Sequence, residues 1–102
     1  RSPERVPLSA RVRIGDGSVQ AEGELVDVSR GGAKVVPDRA FEPASDRVVL
    51  RIRGDAGTDL GAVAAVRWVR SNPEAPAIGL RFTALSSRCR RWIEEAVWIG
   101  TG

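Results

Sequence analysis

A chain of 102 residues, 42% hydrophobic and 28% charged, has the composition of an ordinary globular domain with one modest core. Its net charge of +3 is mild, and its sixteen basic residues are all arginine except Lys34, so an anionic partner is plausible and planar guanidinium forks are abundant. One cysteine, Cys89, and no histidine exclude an internal disulfide, a multi-cysteine zinc site and any Ser-His-Asp or Cys-His catalytic arrangement.

The rest of the inventory narrows the class further. No pair of carboxylates stands out among the thirteen acidic residues, so we read a binding module rather than an enzyme, with no metal and no cofactor implied. No apolar run approaches the ~18 residues needed to span a bilayer, and nothing resembles a signal peptide. The chain contains no Met, so Arg1 is expected to begin a segment of something longer.

The chain opens on RSPER (1–5), with Arg1 and Arg5 just ahead of the first strand. In VPLSARVRI the apolar residues Val6, Leu8, Ala10, Val12 and Ile14 alternate with mostly polar ones, the period of a half-buried strand. GDGS (15–18) is a turn, and a second strand is expected over 19–29. Its phase first sets Val19, Ala21 and Leu25 on one face and then Val26 and Val28, so the register slips near Leu25 through a bulge or a change of packing partner. GAKVV (32–36) is a short strand, and 37–46 is a loop anchored by Phe41. RVVLRIR (47–53), LGAVAAVRWVR (60–70) and AIGLRF (77–82) supply three more strands. From Ser86 the period changes: Cys89, Trp92, Ile93, Ala96 and Val97 form an amphipathic helical stripe with Ser86 or Ser87 as N-cap, and Trp98 falls off it as an interface candidate. Six short antiparallel strands closed by one helix argue for a small β-barrel or β-roll.

One short segment carries more than fold. DVSRGG (27–32) sets Asp27 and Ser29 on one strand face, Val28 on the other, and Gly31 and Gly32 beyond; alone it is an ordinary turn signal. Joined to Arg1 and Arg5 across an intervening strand, Arg-x-x-x-Arg followed by Asp-x-Ser-x-x-Gly resembles the PilZ domain, the bacterial receptor module for cyclic di-GMP. RVPLSARVRI, VRWVR and AIGLRF resemble the family's strands, so the likeness covers essentially the whole chain. It implies a single mainly β domain over 1–102: an arginine arm (1–5), a six-stranded antiparallel β-barrel (6–82) and a C-terminal helix (86–99).

The resemblance further implies a cytoplasmic bacterial receptor that grips cyclic di-GMP with Arg1, Arg5, Asp27, Ser29 and Gly32. Arg30, Gly31 and Trp68 are secondary candidates for contact, while Arg70 and Arg81 are weighed toward solvent. The ligand carries two phosphates and two guanines; guanidinium forks suit phosphate or the guanine O6/N7 edge, and a carboxylate suits guanine donors. Asp27 and Ser29 are expected to look outward while Val28 anchors the strand. Output would pass through closure of the arm to a protein partner or an attached domain. Two alternatives stand beside this reading: a non-binding PilZ-like interaction adaptor, and a small basic barrel for single-stranded nucleic acid. The dispersed acidic residues argue against the last, and no specific DNA or RNA partner is expected.

Overall fold

Where the sequence alternates, the chain pairs. The computed structural model describes residues 6–54, 57 and 59–101. Within it lie six strands, β1 (Val6–Gly15), β2 (Gln20–Val28), β3 (Gly32–Pro37), β4 (Arg47–Arg53), β5 (Asp59–Arg70) and β6 (Ala77–Leu85), followed by one helix, α1 (Ser87–Thr101). All pairings are antiparallel, and the order β1-β2-β3-β6-β5-β4 closes on itself through β1 and β4. The expected six-stranded barrel with its C-terminal helix is therefore the observed fold.

The inward residues of the alternating strands fill the barrel: Ile14, Leu25, Leu50, Ile52, Ile78 and Leu80 are fully buried. Phe41 is buried as the anchor of the loop between β3 and β4. The helix lays Cys89, Ile93 and Val97 on this core, with Trp92 and Ala96 half-buried beside them. Burial pushes the Cys89 thiol up to about 11, which keeps it neutral and unreactive. Ser86 is the N-cap: its Oγ accepts from Cys89 N at 3.1 Å, satisfying one of the open amides of the first turn. Among the described residues, no helix is long and apolar enough to cross a membrane.

The expected slip near Leu25 is a register shift between Leu25 and Asp27 in the β2–β3 ladder. Sequence alternation gave no sign of three others, at Pro7/Ala10 in β1 and at Val63/Ala64 and Val66/Trp68 in β5. Val19 departs from its expected place on the apolar face of β2. It is exposed and belongs to the preceding turn, because its N–H and that of Ser18 both donate to Asp16 Oδ1 at 2.8 Å. Gly17 accommodates this turn with φ of 98°, a left-handed conformation in which a Cβ is strained.

Asp16 also reaches across to the β3–β4 loop, where Ala44 N donates to Oδ2 at 2.6 Å. These amides, Val19 first, then Ala44 and Ser18, hold the Asp16 carboxyl below its usual range. A carboxyl depressed in the folded state stabilises the fold above its unfolded pKa of about 4 and loses that contribution as pH falls through the folded value. Asp16→Ala should accordingly lower Tm near neutral pH, and the gap to wild type should narrow as the pH falls below the unfolded value of about 4 and through the lower folded one. Thermal melts of both proteins across that range check this; a gap independent of pH would mean the turn does not depend on the ionised carboxylate.

Candidate functional site

The Asp-x-Ser-x-x-Gly segment bridges β2 and β3 and is held almost wholly from within. Ser29 N donates to Gly32 O at 2.8 Å, and Ser29 Oγ accepts from Gly31 N at 3.3 Å and Gly32 N at 3.2 Å. Phe82 N on β6 donates to Gly31 O at 2.9 Å, which ties the turn to a strand distant in sequence. Ser29 consequently does not look outward as expected: it is 2% exposed, the one buried polar side chain among the described residues, because its hydroxyl is occupied by the turn's own amides. Val28 is buried in the core, as expected, and Asp27 is half-buried.

Gly32 is needed where it stands for a reason of packing. A Cβ there would lie 2.1 Å from the Leu80 carbonyl oxygen, so only glycine lets β3 approach β6 this closely. Gly31 is exposed, and a Cβ on it would meet nothing within 4 Å.

From this turn the barrel surface carries a lateral stripe. Asp27 on β2 is opposite Lys34 on β3, Lys34 is opposite Gly79 on β6, and Gly79 is opposite Trp68 on β5. Lys34 and Gly79 are each flanked in sequence by buried core residues, so both face outward. The Trp68 indole lies over Gly79: a Cβ on Gly79 would sit 2.2 Å from its Nε1 and 2.3 Å from its Cε2. Trp68 remains 45% exposed, a rim aromatic with an accessible face rather than a core residue. With strands about 4.8 Å apart, carboxylate, ammonium and indole share a band roughly 14 Å across. Exposed Arg81, opposite Gly32, lies one outward position beyond Gly79 on β6.

Of the residues singled out from sequence, Asp27, Ser29, Gly31, Gly32 and Trp68 thus fall on one side of the barrel. Arg30 is exposed and turns toward the helix, lining a groove of about 600 Å³ with Arg91, Glu94, Glu95, Trp98 and Ile99. Arg70 does not join them; its Nε donates to Ala75 O at 2.7 Å and braces the β5–β6 loop. Arg1 and Arg5 lie outside the described residues. Sequence reading missed Lys34 and Gly79 and weighed Arg81 toward solvent. The signal for Gly79 was a lone glycine inside a strand pattern, which marks a close approach.

The two tight glycines predict different outcomes. Gly32→Ala meets backbone, so overpacking should cost about 1–3 kcal/mol of stability in denaturant unfolding. Gly79→Ala meets a partly exposed side chain, so it should cost less and shift tryptophan emission to longer wavelength as Trp68 is displaced. Equal losses with unchanged emission would contradict the placement of the indole.

The family model of the PilZ domain matches residues 1–97. No curated protein sequence matches. Among solved structures, the chain is similar to the Bacillus subtilis inhibitor of motility MotI/DgrA, with TM-score 0.76 and 17% identity over 97% of this chain, of whose length it spans 50%. It is similar to the PilZ domain of YcgR from Escherichia coli, with TM-score 0.75 and 14% identity, covering 99% of this chain and 91% of that one. It is likewise similar to the PilZ domain of CeSA from a cellulose-synthesizing bacterium, with TM-score 0.68 and 21% identity, covering 97% and 99%. At these identities the structures speak for the barrel and its helix, and the family model spans nearly the whole chain: the chain belongs to the PilZ domain family.

Proposed function

We propose that this domain is a receptor for cyclic di-GMP and binds it across the Asp27–Lys34–Gly79–Trp68 stripe beside the Ser29–Gly32 turn. The observation that carries the reading is that stripe, in which a carboxylate, a cation and an open indole face are aligned on four consecutive strands. Family membership supports it, as do two solved relatives, YcgR from Escherichia coli and PlzA from Borreliella burgdorferi, each described in complex with c-di-GMP.

The chemistry divides between contact and support. Arg1 and Arg5 act as an arm on the phosphates or the guanine O6/N7 edge, where a guanidinium fork binds in two places at once. Lys34 and Arg81 add positive charge to the same face, Asp27 accepts from guanine N1–H and N2–H, and the Trp68 indole stacks on a base. Ser29 and Gly32 act through shape, fixing the turn and seating β3 against β6. Arg30 carries the effect of binding toward Trp98 and Ile99, which are 70% and 71% exposed and form the surface for a protein partner or attached domain. That exposed pair is also what favours the second reading, an interaction adaptor that binds no nucleotide.

Calorimetric titration of cyclic di-GMP, with GTP and linear pGpG as controls, separates the two. Saturable binding selective for the cyclic dinucleotide is expected, and Arg5→Ala should abolish or greatly weaken it without changing Tm. Lys34→Ala removes one charge-assisted contact and should raise Kd roughly 10- to 100-fold. Trp68→Ala should cost about 1–3 kcal/mol of binding through lost stacking. Undiminished affinity in Arg5→Ala, or no binding by the wild-type domain, would overturn the receptor reading.

A further inference from the structure

Across the barrel from the β3–β6 seam, β1 and β4 present a block of arginines. Arg13 and Arg51 are direct cross-strand partners, an arrangement in which like charges destabilise a sheet. Beyond the inward pair Val12 and Ile52, Arg11 and Arg53 occupy the next outward positions on the same two strands. The block borders a concavity of about 130 Å³ that Glu22 and Asp59 also line.

The four cations are not equally compensated. Arg11 donates to both Asp38 oxygens, at 2.6 and 3.1 Å, and Arg13 lies 3.6 Å from Glu22, which also lies 3.8 Å from Arg11. Among the described residues Arg51 and Arg53 form no ion pair, although Asp59 is the cross-strand partner of Arg53. On its other side Arg51 is opposite Gly61, which offers no side chain and has open space around it. Two guanidiniums outside any ion pair among the described residues are thus held beside a third, on paired strands, facing an open hollow.

We propose that this hollow is a second anion site, separate from the nucleotide face, in which Arg51 and Arg53 with Arg13 bind a phosphate group. Arginine forks match tetrahedral phosphate oxygens, and a bound dianion would turn the Arg13–Arg51 repulsion into a bridge. The phosphate belongs either to a small soluble molecule or to a lipid headgroup.

The test uses two probes, pyrophosphate and vesicles containing phosphatidylglycerol, each at ionic strength matched with sodium chloride, on wild type and on Arg51→Ala/Arg53→Ala. For a soluble phosphate, pyrophosphate at about ten times Kd should raise the wild-type Tm by a few degrees and shift the arginine Nε–H and Gly61 amide NMR signals. For a headgroup, the wild type should sediment with the vesicles while pyrophosphate does nothing. Either response must vanish in the double variant, whose Tm in phosphate-free buffer should equal or exceed that of wild type because a like-charge contact has been removed. The proposal is overturned if neither probe acts, if both variants respond alike, or if the double substitution weakens cyclic di-GMP binding as much as it weakens the response to the probe. The pyrophosphate and vesicle responses can be read whether or not the domain binds cyclic di-GMP.

Discussion

The arrangement of the face that runs from Asp27 to Trp68 depends on Gly32 lying against the carbonyl of Leu80. β3 and β6 are far apart in sequence and become neighbours only if the chain, having left β2 through a tight turn, can press its backbone onto β6. That contact sets Lys34 opposite Gly79, and Gly79 in turn leaves the space that Trp68 occupies. Two absent side chains thereby determine where an ammonium and an indole stand. The Ser29 hydroxyl plays the complementary part, satisfying two amides of the turn so that their partners need not come from solvent or ligand.

The motif residues thus divide by the distance over which they act. Asp27 is on the face itself, whereas Ser29 and Gly32 shape it from beneath, and Arg30 looks to the helix. A sequence motif compresses these roles into six consecutive letters because one turn serves all three. Substitution at Ser29 or Gly32 therefore disturbs the turn or the β3–β6 contact itself, whereas Lys34 stands on the outer wall of the barrel.

Much of the fold was legible in the sequence, because period-two alternation marks which residues of a strand face the core. Val12, Ile14, Leu50, Ile52, Ile78 and Leu80 were all on the predicted inner faces, and the change of period at Ser86 located the helix and its cap. Alternation says nothing about which strand lies alongside. The β3–β6 pairing, and with it the Asp27-to-Trp68 stripe, depends on long-range register and stayed hidden. The misplacements of Val19 and Ser29 share one cause. Each was assigned a strand face by periodicity, and each is governed instead by a local side-chain-to-backbone hydrogen bond, through the Asp16 carboxylate and the Ser29 hydroxyl respectively.

The pairing of β1 with β4 has a consequence for how such a domain can communicate. An open sheet can recruit a partner by lending it a row of unpaired amides and carbonyls, and a strand added in that way brings little sequence discrimination from its backbone. Here the ring of strands is complete, so that route is unavailable without breaking a ladder. Whatever the barrel recognises, it recognises through side chains standing on its outer wall or along its helix. Relatives sharing this wall can diverge in partner by exchanging surface residues alone, with the hydrogen-bonded frame unchanged.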